Sequence, residues 1–153
     1  MLYESSRRMI PLSEEIMFLR NYMSLMRQRF PENKVSVTSE FPADNEIVGI
    51  SLPPLLFLVF IENAFKHGVS YQEASFVAVS IEVSQQSLRF NCINSNHSRI
   101  CDDMETTGIG LRNIRQRLSL IYGDKASLEL NVSRTTYTVN LTIPAHAVED
   151  SYN

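Results

Sequence analysis

Pro53-Pro54-Leu55-Leu56-Phe57-Leu58-Val59-Phe60-Ile61-Glu62-Asn63-Ala64-Phe65-Lys66-His67-Gly68 carries the pattern around which the rest of the chain can be arranged. Proline is tolerated in a first helical turn, so the pair predicts a long helix opening at residues 53 and 54. The following positions are apolar nearly all round, which predicts burial between a sheet and another helix. Gly68 is a natural stop. Residues i, i+3 and i+4 share a helix face, so Asn63, Lys66 and His67 project together beyond Val59 and Phe60. An Asn amide oxygen suits Mg²⁺, which keeps waters and takes further ligands from phosphate. Lys supplies a point charge for phosphate. The same three residues also fit a plain amphipathic helix end that emerges from the core. Glu62, on a neighbouring face, reads as a base or holder of a metal-bound water, or equally as a solvated glutamate.

About forty residues later comes Gly108-Ile109-Gly110-Leu111-Arg112-Asn113, a glycine turn running into a second helix. Leu111, Ile114, Leu118 and Ile121 fall on one face of that helix. Glycines let the backbone aim N–H groups at an anion, and the helix N-terminus adds its dipole. The segment lacks the third glycine of a dinucleotide fingerprint and the Gly-Lys-Ser/Thr of a P-loop. A helix start that merely needs a sharp turn would look the same.

Between these segments, residues 75–83 and 88–94 alternate as strands around a loop at residues 84–87. Asn94 ends the second strand; its amide can accept from the exocyclic amine of a purine or form an ordinary turn. Residues 95–107 are polar and aperiodic, as a lid over a ligand would be. On the N-terminal side, Ser13 predicts an N-cap, with Glu14 and Glu15 at the positive end of a helix running to residue 29. Residues 34–38 alternate as a strand. On the C-terminal side, residues 126–132 and 136–143 form a last strand pair, and residues 148–153 a frayed tail. Strands in short-looped pairs predict an α/β (α+β) two-layer sandwich, with a mixed, mostly antiparallel sheet and helices on one face.

The chain has 153 residues, which suits one core. A net charge of −3 gives no basic excess for nucleic acid. No apolar run is long enough to span a bilayer, so no membrane contact is expected of this segment, and the mixed polar N-terminus predicts no signal peptide. Cys92 and Cys101 form no CxxC pair; His97 and Cys101 are too few for a zinc site.

Taken together, residues 54–68 resemble the N box, and residues 108–118 with Tyr122-Gly123 resemble the glycine box, of sensor histidine kinase ATP-binding domains. The likeness is greatest to the LytS-like family, within the wider ATPase group (GHKL) that includes the gyrase B subunit. Pro11-Leu12-Ser13-Glu14-Glu15-Ile16 through Arg29-Phe30 resembles the segment linking the family's phosphoacceptor region to its catalytic domain.

The resemblance implies a domain that binds ATP with Mg²⁺ under a lid formed by residues 95–107. It implies that Asn63 ligates the metal, that Lys66 and His67 lie near the phosphates, and that Gly108, Gly110 and Leu111 form the backbone cradle, with Asn113 in the matched box. Glu62, Asn63 and Lys66 are then the expected catalytic group. It divides the chain into a linker and leading helix at 1–30, a catalytic domain at 31–147 and a tail at 148–153. It also implies a cytoplasmic domain of an inner-membrane sensor, homodimeric at full length, that phosphorylates a histidine outside this chain and passes the group to a response regulator.

Three departures accompany it. Asn94 stands where the family group has the Asp of its Asp-x-Gly-x-Gly motif, and Cys92-Ile93-Asn94-Ser95-Asn96 has no glycine. An amide accepts more weakly than a carboxylate. Val59 stands where ATP-hydrolysing relatives carry glutamate, which argues against a stand-alone ATPase. None of His67, His97 or His146 sits in the phosphoacceptor motif, so the chain alone is not expected to autophosphorylate. A degenerate nucleotide-binding or docking module is the competing expectation.

Overall fold

The structure, a computed structural model, describes residues 9–70, 72–84, 86–97 and 108–145, with the side chains of 108–111 excepted. Strand β1 (Ile10–Pro11) pairs antiparallel with β3 (Ser51–Leu52) in a short ladder. The main sheet has the order β2-β4-β5-β7-β6, from β2 (Val35–Glu40), β4 (Ser75–Val83), β5 (Ser87–Ser95), β6 (Ser127–Val132) and β7 (Thr136–Pro144). β2 runs parallel to β4, and every other neighbouring pair is antiparallel. Helices α1 (Leu12–Arg29), α2 (Leu58–Gly68) and α3 (Gly108–Tyr122) complete the fold. The expected mixed α/β architecture is present.

Period-two alternation gives the sheet one apolar and one polar face. Ile81, Phe90, Leu141 and Leu128 stand opposite one another across four strands, as do Val79, Cys92, Val139 and Leu130. The next rank is Val77, Asn94, Tyr137 and Val132, in which Asn94 is the polar member. On the other face, Asn91 Nδ2 donates to Asn140 Oδ1 at 2.5 Å.

The helices cover the apolar face. α2 lays Phe60, Ile61, Ala64 and Phe65 on it. The Phe90 ring stacks on Phe57 at 4.5 Å and touches Phe60 at 5.8 Å. α1 buries Leu12, Ile16, Leu19 and Met23, and α3 adds Ile114, Leu118 and Tyr122 to the same cluster. The leading helix thus shares the core of the strands that follow it. Arg27 of α1 donates from Nε to Val37 O at 3.0 Å, which satisfies an acceptor on the edge strand β2.

Two local expectations need correction. The N-cap of α1 is Pro11, not Ser13, and no side chain caps it. Glu15 lies in the first turn of α1, as expected, and is buried there. The long helix starts at Leu58 and not at the prolines, because Leu55 takes φ 58° and breaks the backbone path. Among the described residues Leu55 is the one non-glycine residue in that left-handed region, a conformation that costs about 1–2 kcal/mol.

Candidate functional site

α2 sorts its polar residues by depth. Val59, Asn63 and His67, four residues apart, form a half-buried row along the border of the packed face, while Glu62 and Lys66 are exposed. Asn63 and His67 therefore sit where the helix leaves the core, and Lys66 stands on the solvent side of them. Burial lowers the basicity of His67, and the charge of Lys66 lowers it further, so the imidazole is neutral near pH 7.

The C-terminus of α2 is stapled to the sheet. Ser95 Oγ donates to Gly68 O at 2.5 Å and accepts the Phe76 N–H at 3.0 Å. Asn94 is buried directly against Gly68: a Cβ at residue 68 would lie 2.7 Å from Asn94 Nδ2 and 2.8 Å from its Cβ. Asn94 Nδ2 donates to Ser95 O at 2.8 Å. That bond assigns the amide, since only its NH₂ group can face a carbonyl. Oδ1 is then the atom with which Asn94 could accept from a purine amine. Gly68 was expected as a helix stop; its lack of a side chain also lets α2 reach Asn94.

The expected second helix is present as α3, and residues 108–110 form its first turn. The first four N–H groups of any helix lack intrahelical partners, so the backbone of residues 108–111 supplies the donors that the expected turn was to present. Asn113, one turn on, is exposed. Ser95, Asn96 and His97 of the expected lid are described, whereas residues 98–107, Cys101 included, lie outside the described residues. His97 Nε2 lies 3.0 Å from Ala74 O, and its Nδ1 lies 3.8 Å from Glu73. Among the described residues no three His, Cys, Asp or Glu side chains cluster to hold a metal. Mg²⁺ bound through Asn63, waters and phosphate needs no such cluster.

Two residues with no local signal stand out at the root of α2. Glu15, reaching from α1, accepts the Leu55 N–H at Oε1 at 3.0 Å. Burial raises its pKa, opposed by the amides of Leu55 and Phe57 and then by Arg117 and the Leu56 amide. Arg117 of α3 donates from Nη2 to Pro54 O at 3.0 Å. A cavity of about 1020 Å³ lies elsewhere, between Arg20 and Phe41 on one side and Glu82 and Arg89 on the other. It is lined by none of the residues expected to bind nucleotide, and no charged side chain in it is buried.

No family model matches the chain. It is 27% identical to the sensor protein LytS of Staphylococcus haemolyticus, covering 92% of this chain and 26% of that protein. It is 28% identical to LytS of Bacillus subtilis, over 80% of this chain and 22% of that one. The chain thus spans about a quarter of the length of the curated relatives it matches. Among solved structures, the catalytic domain of histidine kinase ThkA superposes with a TM-score of 0.65 at 17% identity, covering 91% of this chain and 95% of that one. Full-length ShkA in complex with AMPPNP gives 0.63 at 20% identity, covering 92% and 32%. ThkA in complex with the response regulator TrrA gives 0.60 at 13% identity, covering 90% and 41%. The fold is that of histidine kinase catalytic domains.

Proposed function

We propose that this chain is the ATP-binding catalytic domain of a two-component sensor histidine kinase. Residues 31–147 carry the nucleotide site and the helix before them packs onto it. Asn63 holds Mg²⁺ through its amide oxygen; Lys66 and the neutral His67 face the phosphates, and the free N–H groups of residues 108–111 cradle them. Bound Mg²⁺ would neutralise charge developing on the phosphate oxygens. Glu62, exposed beside Asn63, is suited to orient a water or accept a proton at its carboxylate. Asn94 Oδ1 accepts from the adenine amine.

The imidazole nitrogen of a histidine outside this chain attacks the γ-phosphorus. An N–P bond forms, the bond to the bridging oxygen breaks, and ADP leaves. Little covalent work falls to the domain, which acts by positioning and charge neutralisation. The phosphoryl group then passes to a response regulator, as the ThkA complex with TrrA suggests by analogy. We assign the domain to the cytoplasmic side of a membrane sensor that is dimeric at full length; no described helix is long and apolar enough to cross a membrane.

The observation that carries this reading is the close packing of Asn94 against Gly68 at the end of α2, the helix that bears the half-buried Asn63 and His67, within the histidine kinase fold. The experiment mixes this chain with the phosphoacceptor segment of its full-length protein and ATP labelled at the γ-phosphate. Acid-labile label on a histidine of that segment supports kinase activity. Nucleotide binding without transfer supports the second reading, a degenerate binding module. That reading is favoured by one feature: a neutral amide replaces the family's carboxylate at Asn94, and its NH₂ is already committed to Ser95 O.

A further inference from the structure

The turn at residues 54–57, just before α2, is held from two sides. Glu15 of α1, 1% exposed, takes the Leu55 N–H at 3.0 Å, and its Oε2 has no hydrogen-bond partner. Arg117 of α3, half-buried, gives Nη2 to Pro54 O at 3.0 Å. The two side chains also attract each other through their charges. Between them Leu55 is kept at φ 58° with its side chain half in solvent, so backbone bonding and not apolar packing holds this strained residue.

The position of this tie matters. Pro54 precedes Asn63 by nine residues, and Arg117 follows Gly108 by nine residues. At about 1.5 Å per helical residue, Gly108 lies roughly 14 Å along α3 from the tie. A small change of angle at Arg117 is therefore carried along α3 to its first turn. We propose that Arg117 and Glu15 are positioning residues that set the separation between the metal-binding row of α2 and the N-terminus of α3. This rests on the nucleotide site proposed above. Arg117 touches no substrate in this scheme; it acts by fixing where α3 begins relative to Asn63.

The test uses the whole chain with AMPPNP plus Mg²⁺, and ADP without metal as the reference ligand, measured by calorimetry alongside thermal melts. ADP without metal does not need Asn63 and α3 to close on one triphosphate. Arg117→Met is expected to weaken Mg-AMPPNP binding about tenfold, the scale of a typical coupling change, with ADP affinity held within about twofold. Glu15→Gln/Arg117→Met removes both charges while Gln still accepts the Leu55 N–H. It is expected to recover thermal stability lost by Arg117→Met, yet to keep the weakened triphosphate binding. Arg117→Lys, a charge without the planar fork, should recover only part of it.

Variants that bind Mg-AMPPNP as tightly as wild type would overturn the positioning role. So would a double variant that recovers triphosphate binding along with stability, since the effect would then be structural. If wild type itself binds no Mg-AMPPNP, the nucleotide site proposed above fails, and the positioning role falls with it.

Discussion

Gly68→Ala is expected to destabilise the fold, against the sign of its helix propensity. Gly68 is the last residue of α2 and does not occupy the left-handed region, so alanine meets no backbone penalty there. In a helix, Ala over Gly is worth about 1 kcal/mol of stability. The added methyl would, however, lie 2.7 Å from Asn94 Nδ2, 2.8 Å from Cβ and 3.0 Å from Cγ. The Cβ of Asn94 is fixed by its strand, and its amide is anchored on Ser95 O at 2.8 Å. Overpacking of this kind costs about 1–3 kcal/mol. Displacing the buried amide from its carbonyl costs about 1–3 kcal/mol more. Less the propensity gain, the net loss is about 1–5 kcal/mol. At roughly 2–4 °C per kcal/mol for a chain of this size, Tm falls by about 2–20 °C. Scanning calorimetry measures it. A Tm unchanged, or raised by the few degrees that propensity alone would give, would refute the idea that α2 and β5 meet too closely here for a side chain.

Other outcomes follow from the same geometry. Phe90→Ala, which removes the ring stacked on Phe57 and tilted against Phe60, should cost about 3–5 kcal/mol in denaturant unfolding without altering secondary structure. The His67 pKa lies below its ordinary 6.5, so its share of stability is complete above pH 6.5 and is lost as pH falls from there through the folded value; melts between pH 5 and 7.5, compared with His67→Gln, should reveal that slope. Burial pushes the Cys92 thiol from 9.0 to about 12, so in a Cys101→Ser background a disulfide reagent at pH 8 should find no reactive thiol until the protein unfolds. Because that thiol keeps its proton when folded, its contribution to stability declines as pH rises above 9 towards 12.

What the sequence made legible was local. The strand at Ser75–Val83 could be read almost to the residue because one face of the sheet is polar, which keeps the alternation clean. α2 was expected to be apolar nearly all round, whereas it buries one face and leaves Glu62 and Lys66 exposed. The start of α2 was not legible: Pro53 and Pro54 are good first-turn residues, and the break at Leu55 is accompanied by bonds from Glu15 to Leu55, 40 positions apart, and from Arg117 to Pro54, 63 positions apart. Glu15 lies in the first turn of its own helix as the sequence suggests, but its bond to the root of α2 is a tertiary contact that no local rule states. The parallel pairing of β2 with β4 depends on how the chain crosses over through α2, which no local pattern states. Asn63 and Asn94 were singled out from residue type and place, but the burial of Asn94 beneath Gly68 could not be read that way. A strand-end asparagine reads as a turn former until the helix that covers it is known.

Calorimetric titration of an ATP analogue, with and without Mg²⁺, on wild type and Asn63→Ala tests the central claim most directly. The account predicts magnesium-enhanced binding to wild type, loss of that enhancement in the variant, and an unchanged circular dichroism spectrum. Equal, magnesium-dependent affinity in both proteins would contradict it.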